Sequence, residues 1–447
     1  MSTDTLPPPL PPRRPALGFS SDAMRNSLGF KLALVAGILL VLQIPLMMTY
    51  GVRDEREHTL WSVRREIADM WGGEQTIGPP VLTLEAEETW TETRKVQGQT
   101  EERSLRETAW QVILPDALAA EGTVEPEIRS RGIYQAVLHR TSVRMKGEFV
   151  VPPRIWRHEA EGERAFVSVG IPDVKGLKRV RLTVGGSEVP VEPGAAHVWR
   201  SGFRASLDPA AFTPGATVPF ELELVVNGSG SLLFAPAGRN FTLSLSGPWA
   251  SPSFTGETLP DRREVGPEGF TAEWNVMELN RPYPQSWRGD EFKPDGAASG
   301  VSLVLPANFY HQVDRAMKYA SLFALVVLFG VLAAERLTKT PAHPVQYAVA
   351  ALALVLFGML LLSLAEHMPF PAAYAVSTVV ICGLTAAYAG AVFRCRAAAI
   401  GLGAVMVASY ALIYVVLQLE SVALLLGTLV LVGLLAFLMA ITAKMNR

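Results

Sequence analysis

The chain has 447 residues, of which 49% are hydrophobic and 18% charged, and its formal net charge is −2. A nearly neutral chain lacks the basic excess of a nucleic-acid-binding domain, so this class of partner is excluded. Its two cysteines, Cys382 and Cys395, both fall in its last, apolar quarter. The polar middle therefore contains no disulfide and must fold on an apolar core, for which about 240 residues are ample.

The N-terminal part divides into a tail and an apolar run. Residues 1–27 are rich in proline and poor in apolar surface, which predicts a disordered cytoplasmic tail. Residues 28–50 are mostly apolar and long enough to cross a bilayer. A signal peptide is the alternative, but no small-x-small cleavage site follows the run. We interpret it as an uncleaved first transmembrane span.

A helix is predicted to follow this span over residues 51–75. Its apolar residues recur at helical spacing, at Leu60, Val63, Ile67 and Met70. Gly72 and Gly73 end the pattern. We expect the apolar face to pack on the chain's own domain, with lipid or a partner protein as the alternative.

Residues 76–316 change to short alternating runs separated by Gly, Pro and Asp, which is typical of antiparallel strands with one solvated face. Phe220–Val226, Ser231–Phe234 and Phe241–Leu245 look like three consecutive strands of a meander. No helical pattern alternates with these strands, which disfavours a βαβ nucleotide fold. We expect a large β-rich, mainly antiparallel domain.

Residues 317–442 contain five apolar runs of about twenty residues each, the length that spans a bilayer. The predicted spans are Tyr319–Ala334, Val345–Leu364, Ala372–Phe393, Ala397–Leu417 and Val422–Ile441. Together with the first span they predict a membrane α-helical bundle of six spans, followed by a C-terminal tail at 443–447.

Basic residues near the predicted span ends indicate orientation. They are Arg13, Arg14, Arg25, Lys31, Arg336, Lys339, Arg394, Arg396, Lys444 and Arg447. The alternate short turns, Glu366–Phe370 and Gln418–Ser421, carry no Lys or Arg. By the positive-inside rule, both termini are predicted to be cytoplasmic, with residues of about 51–316 outside the membrane.

Sequence motifs for catalysis, nucleotide binding and metal binding are absent, so no catalytic, cofactor-binding or metal-ligating residue is predicted. The seven histidines are scattered, and no two have metal-ligand spacing. Glu85, Glu87 and Glu88 could on paper supply the carboxylate pair of a glycosidase. Solvated sheet faces explain these residues more simply.

The candidate polar membrane site consists of six residues at the ends of predicted spans: Glu366, His367, Gln418, Glu420, Gln346 and Tyr347. Carboxylates near a bilayer can mark a proton or ion path. On this interpretation Glu366, His367 and Glu420 converge as a site for a lipid headgroup, a cation or a proton. The alternative is that they cap span ends and mark the interface.

Several stretches carry a resemblance to a known family. They are Ile67–Trp71, Gln75–Pro79, Arg131–Tyr134, Gly147–Phe149, Pro172–Gly176, Trp249–Phe254, Gly269–Trp274, Lys318–Phe323, Pro344–Tyr347, Leu360–His367 and Leu417–Glu420. The chain resembles the CreD family of inner-membrane proteins associated with cell-envelope integrity. It departs from the family pattern at Ala365, where Ser is expected, and at Ser421-Val422, which replaces an acidic-aromatic pair.

The resemblance implies a bacterial inner-membrane protein with a periplasmic domain and a role in envelope stress, and it implies no catalytic residues. Our leading hypothesis is a non-enzymatic periplasmic domain that binds an envelope component or a partner protein of the periplasm or inner membrane. A transporter or lipid-handling protein that uses Glu366, His367 and Glu420 is the alternative, and an envelope hydrolase is a third. Membrane lipid is a partner on each hypothesis.

Overall fold

The structure is a computed structural model that describes residues 28–96, 99–305 and 309–418, with single positions at 428, 432, 436 and 439. The chain divides into two compact units. One holds the residues up to 57 and from 307 onwards, and the other holds residues 58–306.

The described ranges contain six α-helices. They are α1 (Leu28–Trp71), α2 (Phe309–Lys318), α3 (Ala320–Thr338), α4 (Pro344–Ala365), α5 (Phe370–Phe393) and α6 (Arg396–Gln418). The predicted first span and the predicted helix after it form one continuous helix, α1, which contains Pro45. The α1 helix has 44 residues and crosses the boundary between the two units.

The prediction of six spans is wrong. Among the described residues, four helices are long and apolar enough to cross a membrane: α1, α4, α5 and α6. The predicted second span is α3, whose last turns carry Glu335, Arg336 and Thr338. Its apolar part, residues 320–334, is about 22 Å long at 1.5 Å per residue, short of the roughly 30 Å hydrocarbon core. The predicted last span, Val422–Ile441, lies outside the described residues except for four single positions.

In the described part of the second unit, seventeen strands form two sheets. They are β1 (Gln75–Val96), β2 (Gln99–Ile113), β3 (Ala117–Arg131), β4 (Tyr134–Val150), β5 (Glu159–Gly170), β6 (Leu177–Val184), β7 (Ser187–Val189), β8 (Glu192–Pro193), β9 (Gly202–Leu207), β10 (Thr217–Ser229), β11 (Ser231–Phe234), β12 (Asn240–Gly247), β13 (Pro252–Gly256), β14 (Arg262–Gly266), β15 (Gly269–Met277), β16 (Ser286–Arg288) and β17 (Ser299–Leu303). The first sheet runs β13-β17-β11-β1-β5-β9-β8, with β2 on β1 and β16 on β2. The second runs β14-β15-β12-β3-β4-β10-β6-β7.

Both sheets are mixed but mainly antiparallel, so the expectation of mainly antiparallel pairing is confirmed. Among the described residues, thirteen of the fifteen strand pairings are antiparallel. The two parallel pairings join β1 to β11 in the first sheet and β12 to β3 in the second. The strands of each parallel pair are distant in sequence, since parallel neighbours need a long crossover connection.

The predicted meander is also wrong. β10 pairs with β4 and β6 in the second sheet, β11 pairs with β1 and β17 in the first, and β12 lies in the second again. Asn227 and Gly228 are paired residues inside β10, opposite Arg140 and His139, and form no turn. These three consecutive strands alternate between the sheets, so they contribute apolar side chains to the interior from opposite sides.

The two sheets pack around a shared apolar core that includes Leu82 and Leu84 of β1 and Leu222 of β10. A second core, with Val81 and Trp199, covers the other face of β1. β1 is therefore buried on both faces along much of its length. Alternation alone does not reveal this, because a strand covered on both sides buries its polar residues too.

The last turns of α1 pack on the β3–β4 hairpin. Ile67 is buried with Ala136 and Leu138, and Val63 lies against the same cluster. The Nε of Arg64 donates a hydrogen bond of 2.8 Å to the main-chain oxygen of Gln135. The expectation that this helical face packs on the chain's own domain is confirmed for Val63 and Ile67, whereas Met70 is exposed.

Candidate functional site

Helix α4 separates the predicted polar residues into two groups. Gln346 and Tyr347 lie in its first turn, whereas Glu366 and His367 follow its last residue. A helix of 22 residues is about 33 Å long. The two groups therefore cannot form one site. Gln346 is engaged in capping, since its Oε1 accepts from the main-chain nitrogen of His343 at 2.9 Å.

Tyr347 belongs to a buried cluster of polar residues at the start of α4. Its hydroxyl donates to Oε2 of Glu335 at 2.5 Å, and Oε1 of the same carboxylate lies 2.7 Å from Nζ of Lys31. The Lys31 ammonium also donates to the main-chain oxygen of Ala342 at 3.3 Å. The exposed fractions of Lys31, Glu335 and Tyr347 are 4%, 7% and 0%. These contacts provide partners for the buried charges of Lys31 and Glu335. The cluster thereby connects the start of α1 to α3 and α4.

Glu366 lies at the other end of α4, beside α1. Its Oε1 is 3.8 Å from Nε of Arg56, and its side chain is only 9% exposed. Sequence reasoning did not find Arg56, because nothing in the local pattern links it to a residue 310 positions away. His367 is exposed, and its Nδ1 lies 3.0 Å from the main-chain oxygen of Ser363.

Gln418 is the exposed last residue of α6. Glu420 lies outside the described residues. The structure places Glu366 and His367 side by side, by sequence adjacency. The convergence of Glu366, His367 and Glu420 on one headgroup, cation or proton site stays a prediction.

A second charged group joins α1 to α2. Arg53 lies 3.1 Å from Glu57 one turn ahead and 3.9 Å from Asp314 of α2. Asp314 also accepts from Lys318 at 2.8 Å. These residues were missed because Asp314 lies between the strand-rich and apolar stretches, where no pattern marked it.

In the strand-rich unit, the carboxylate of Glu85 lies on a face of β1 that is covered. Its Oε2 is 3.0 Å from Nε2 of His197, and its Oε1 pairs with Arg164 on the neighbouring strand β5. The His197 ring stacks on Trp110 with centroids 4.1 Å apart. Both oxygens of Glu85 are therefore engaged in contacts that hold the loop after β8 on the sheet.

Glu88 is fully buried. One of its oxygens accepts from the main-chain nitrogen of Arg157 at 2.8 Å, and the other lies 2.9 Å from Nη2 of Arg288 on β16. A carboxylate that is neutralised and hydrogen-bonded on both oxygens is a structural element of the fold. The expectation that solvated sheet faces explain Glu85 and Glu88 is wrong, since both are buried.

A polar cluster lies where the chain enters β1. Gln75, His139 and Asn227 are each fully buried, and Nε2 of Gln75 donates to the main-chain oxygen of Asn227 at 3.1 Å. Burial lowers the pKa of the His139 imidazole from 6.5 to about 4, while a main-chain hydrogen bond with Ser231 acts in the opposite direction. Its Nδ1 lies 2.9 Å from Oγ1 of Thr141. His139 is therefore neutral at physiological pH.

Within the described ranges, no group of three or more His, Cys, Asp or Glu residues lies close enough together to hold a metal ion.

Long apolar helices joined to a two-sheet domain define a helical membrane protein with a large strand-rich domain. The model of the inner membrane protein CreD family matches residues 27–447, and the chain belongs to that family. It is 28% identical over 432 residues to inner membrane protein CreD of Escherichia coli strain K12, a match that covers 95% of this chain and 94% of the relative. A solved structure of native yeast LTA4 hydrolase matches this chain at 9% sequence identity with a TM-score of 0.18. The match covers 39% of this chain and 28% of the hydrolase chain, and a TM-score this low does not indicate a shared fold.

Proposed function

We propose that this chain supports cell-envelope integrity through a non-enzymatic periplasmic domain that binds an envelope component or a partner protein. The observation that carries the proposal is α1, which runs without a break from an apolar stretch into the strand-rich unit and is bound there by β3 and β4. Continuity of this kind suits a domain that is held at the membrane. The family to which the chain belongs supports its location in the inner membrane.

The engagement of the buried carboxylates supports the non-enzymatic role. Glu85 and Glu88 are bound by Arg164, His197 and Arg288, so neither is free to act as an acid, a base or a nucleophile without breaking an ion pair. The same reasoning applies to Glu366 near the membrane. Glu366 is bound by Arg56, and an ion pair is a simpler role for it than a transport site.

The sidedness of the domain is part of the proposal: residues of about 51–316 lie in the periplasm and both termini in the cytoplasm. The contact between Lys31 and Glu335 supports it, because it joins the basic start of α1 to the basic end of α3. To test it, Glu264→Cys, at an exposed position on β14, is treated in intact cells with a membrane-impermeant maleimide. Labelling without permeabilisation is expected, and labelling only after lysis contradicts the assignment.

The functional test is rescue of an envelope-stress phenotype in a deletion strain of a bacterium that carries this gene. One variant replaces residues 75–305 with a flexible linker, and the other is Glu366→Gln, which preserves the shape of the side chain. With equal abundance in the membrane, we expect rescue by Glu366→Gln and none by the linker variant. Rescue by the linker variant alone would place the function in the apolar helices and contradict the proposal.

A further inference from the structure

A cleft of about 680 Å³ lies between α1 and α4. Apolar residues line it along α1, among them Phe30, Gly37, Val41 and Pro45, and Leu352 lines it on α4. Both helices are among those long and apolar enough to cross a membrane. The cleft therefore opens to hydrocarbon rather than to water.

Small residues on α1 create the cleft. Ala33 and Gly37 lie four residues apart and both line it. Pairs of small residues at this spacing ordinarily let a second membrane helix approach closely. Here a Cβ built on Gly37 would meet nothing within 4 Å. In the described ranges this surface of α1 thus faces open space.

Contacts between α1 and the other helices lie next to both ends of the lining on α1. At one end the ion pair of Lys31 with Glu335 adjoins Phe30. At the other, Thr49 approaches α4, with its Cγ2 3.7 Å from the position of a Cβ on Gly358. The lining of α1 between Phe30 and Pro45 is about 22 Å long. One acyl chain reaches about 15 Å, which is half of the hydrocarbon core. The lining is therefore long enough to hold one acyl chain.

We propose that this cleft binds one acyl chain of an anionic glycerophospholipid, with the phosphate at the Lys31 end. The lining of the cleft is apolar, and in a bilayer a lipid chain is the apolar molecule at hand. Charge favours an anionic headgroup there, because Arg336 and Lys339 are exposed at the end of α3 while the Lys31 charge is already neutralised by Glu335. The inference is independent of the proposed envelope role.

The test is native mass spectrometry of the full chain in mild detergent, titrated with phosphatidylglycerol. Gly37→Leu fills the cleft, and the open space at this position lets the variant fold. Gly383→Leu is the matched control, since its Cβ also meets nothing within 4 Å and it lies on α5, away from the lining residues. We expect the wild type and the control to retain one lipid with at least tenfold higher affinity than Gly37→Leu. Equal retention by all three would overturn the proposal.

Two further arms separate the lipid from other occupants. Phosphatidylethanolamine in place of phosphatidylglycerol should bind at least fivefold more weakly, and Arg336→Gln should remove this difference; equal binding of the two lipids overturns the choice of an anionic headgroup. In a background of Cys382→Ser and Cys395→Ser, Val41→Cys is oxidised in membranes together with single cysteines placed at 422–441. Complete disulfide formation would show that this apolar segment fills the cleft and would overturn the lipid proposal.

Discussion

Lys31 of α1 and Glu335 of α3 lie 304 positions apart in the chain, and their side chains form a buried ion pair with 2.7 Å between Nζ and Oε1. Tyr347 donates to the second carboxylate oxygen, so the acid is neutralised and hydrogen-bonded at once. The pair fixes the start of α1 to the helices that follow the strand-rich domain.

Removing one member of this pair should destabilise the first unit. Lys31→Met leaves the Glu335 carboxylate buried and unpaired, at a cost of about 3–5 kcal/mol, whereas the double variant Lys31→Met/Glu335→Leu should recover most of the loss.

Cys382 is buried, so the temperature at which it reacts with a fluorogenic maleimide, in a Cys395→Ser background, measures this unfolding. Lys318→Met is the control: its exposed partnership with Asp314 should contribute only about 0.2–1 kcal/mol. Equal effects of the two single variants would contradict the assignment.

The buried pair of Glu88 and Arg288 should stabilise the strand-rich unit in the same way. We expect Arg288→Met to lower its free energy of unfolding by about 3–5 kcal/mol, since Glu88 is fully buried. All nine tryptophans lie between Trp61 and Trp287, so tryptophan fluorescence during denaturation reports on this unit. Glu188→Gln removes an exposed pair with Arg181 and should change little.

Acid should destabilise the strand-rich unit through His139. An unfolded histidine binds a proton below about pH 6.5, whereas burial holds the pKa of folded His139 at about 4. The contribution is fully present above pH 6.5, and up to about 3 kcal/mol is lost as the pH falls to 4. Denaturation curves at several pH values should show this slope in the wild type and in His158→Gln, an exposed control. A His139→Gln variant with an unchanged slope would assign the effect to other groups.

A larger residue in place of a glycine beneath the Trp199 ring should destabilise the strand-rich unit. Gly78 and Gly170 are paired across β1 and β5, and a Cβ on Gly170 would lie 2.7 Å from the Trp199 ring. Gly170→Ala should therefore cost about 1–3 kcal/mol through overpacking. It should cost much less in a Trp199→Ala background, which removes the clash. Gly266→Ala, where a Cβ meets nothing within 4 Å, is the control. Additive effects would mean that the ring is not the obstacle.

Local pattern in the sequence predicts the elements that depend on neighbouring residues. The apolar runs at 345–364, 372–393 and 397–417 fall within α4, α5 and α6, and the alternating run Phe220–Val226 falls within β10. The error in the span count has a local cause as well, because the charged residues that end α3 shorten its apolar part.

Pairing between distant residues could not be predicted. The partner strands of β11 are β1 and β17, and alternation specifies which residues face a core but not which sheet a strand joins. The ion pairs of Glu366 with Arg56 and of Glu88 with Arg288 are likewise set by tertiary packing. A single sequence shows their charges and not their distances.

The order of strands in the first sheet constrains how the protein is made. β1 pairs with β2 and β5 along most of its length, but its first residues, Gln75–Ile77, pair with β11, so they reach this partner only after residue 234 has been synthesised. At 5–20 residues per second, the roughly 150 intervening residues take about 8–30 s to emerge. During that interval the start of β1 lacks its β11 partner. Biogenesis, rather than the finished structure, is therefore the stage at which this domain is most exposed to aggregation and to chaperones.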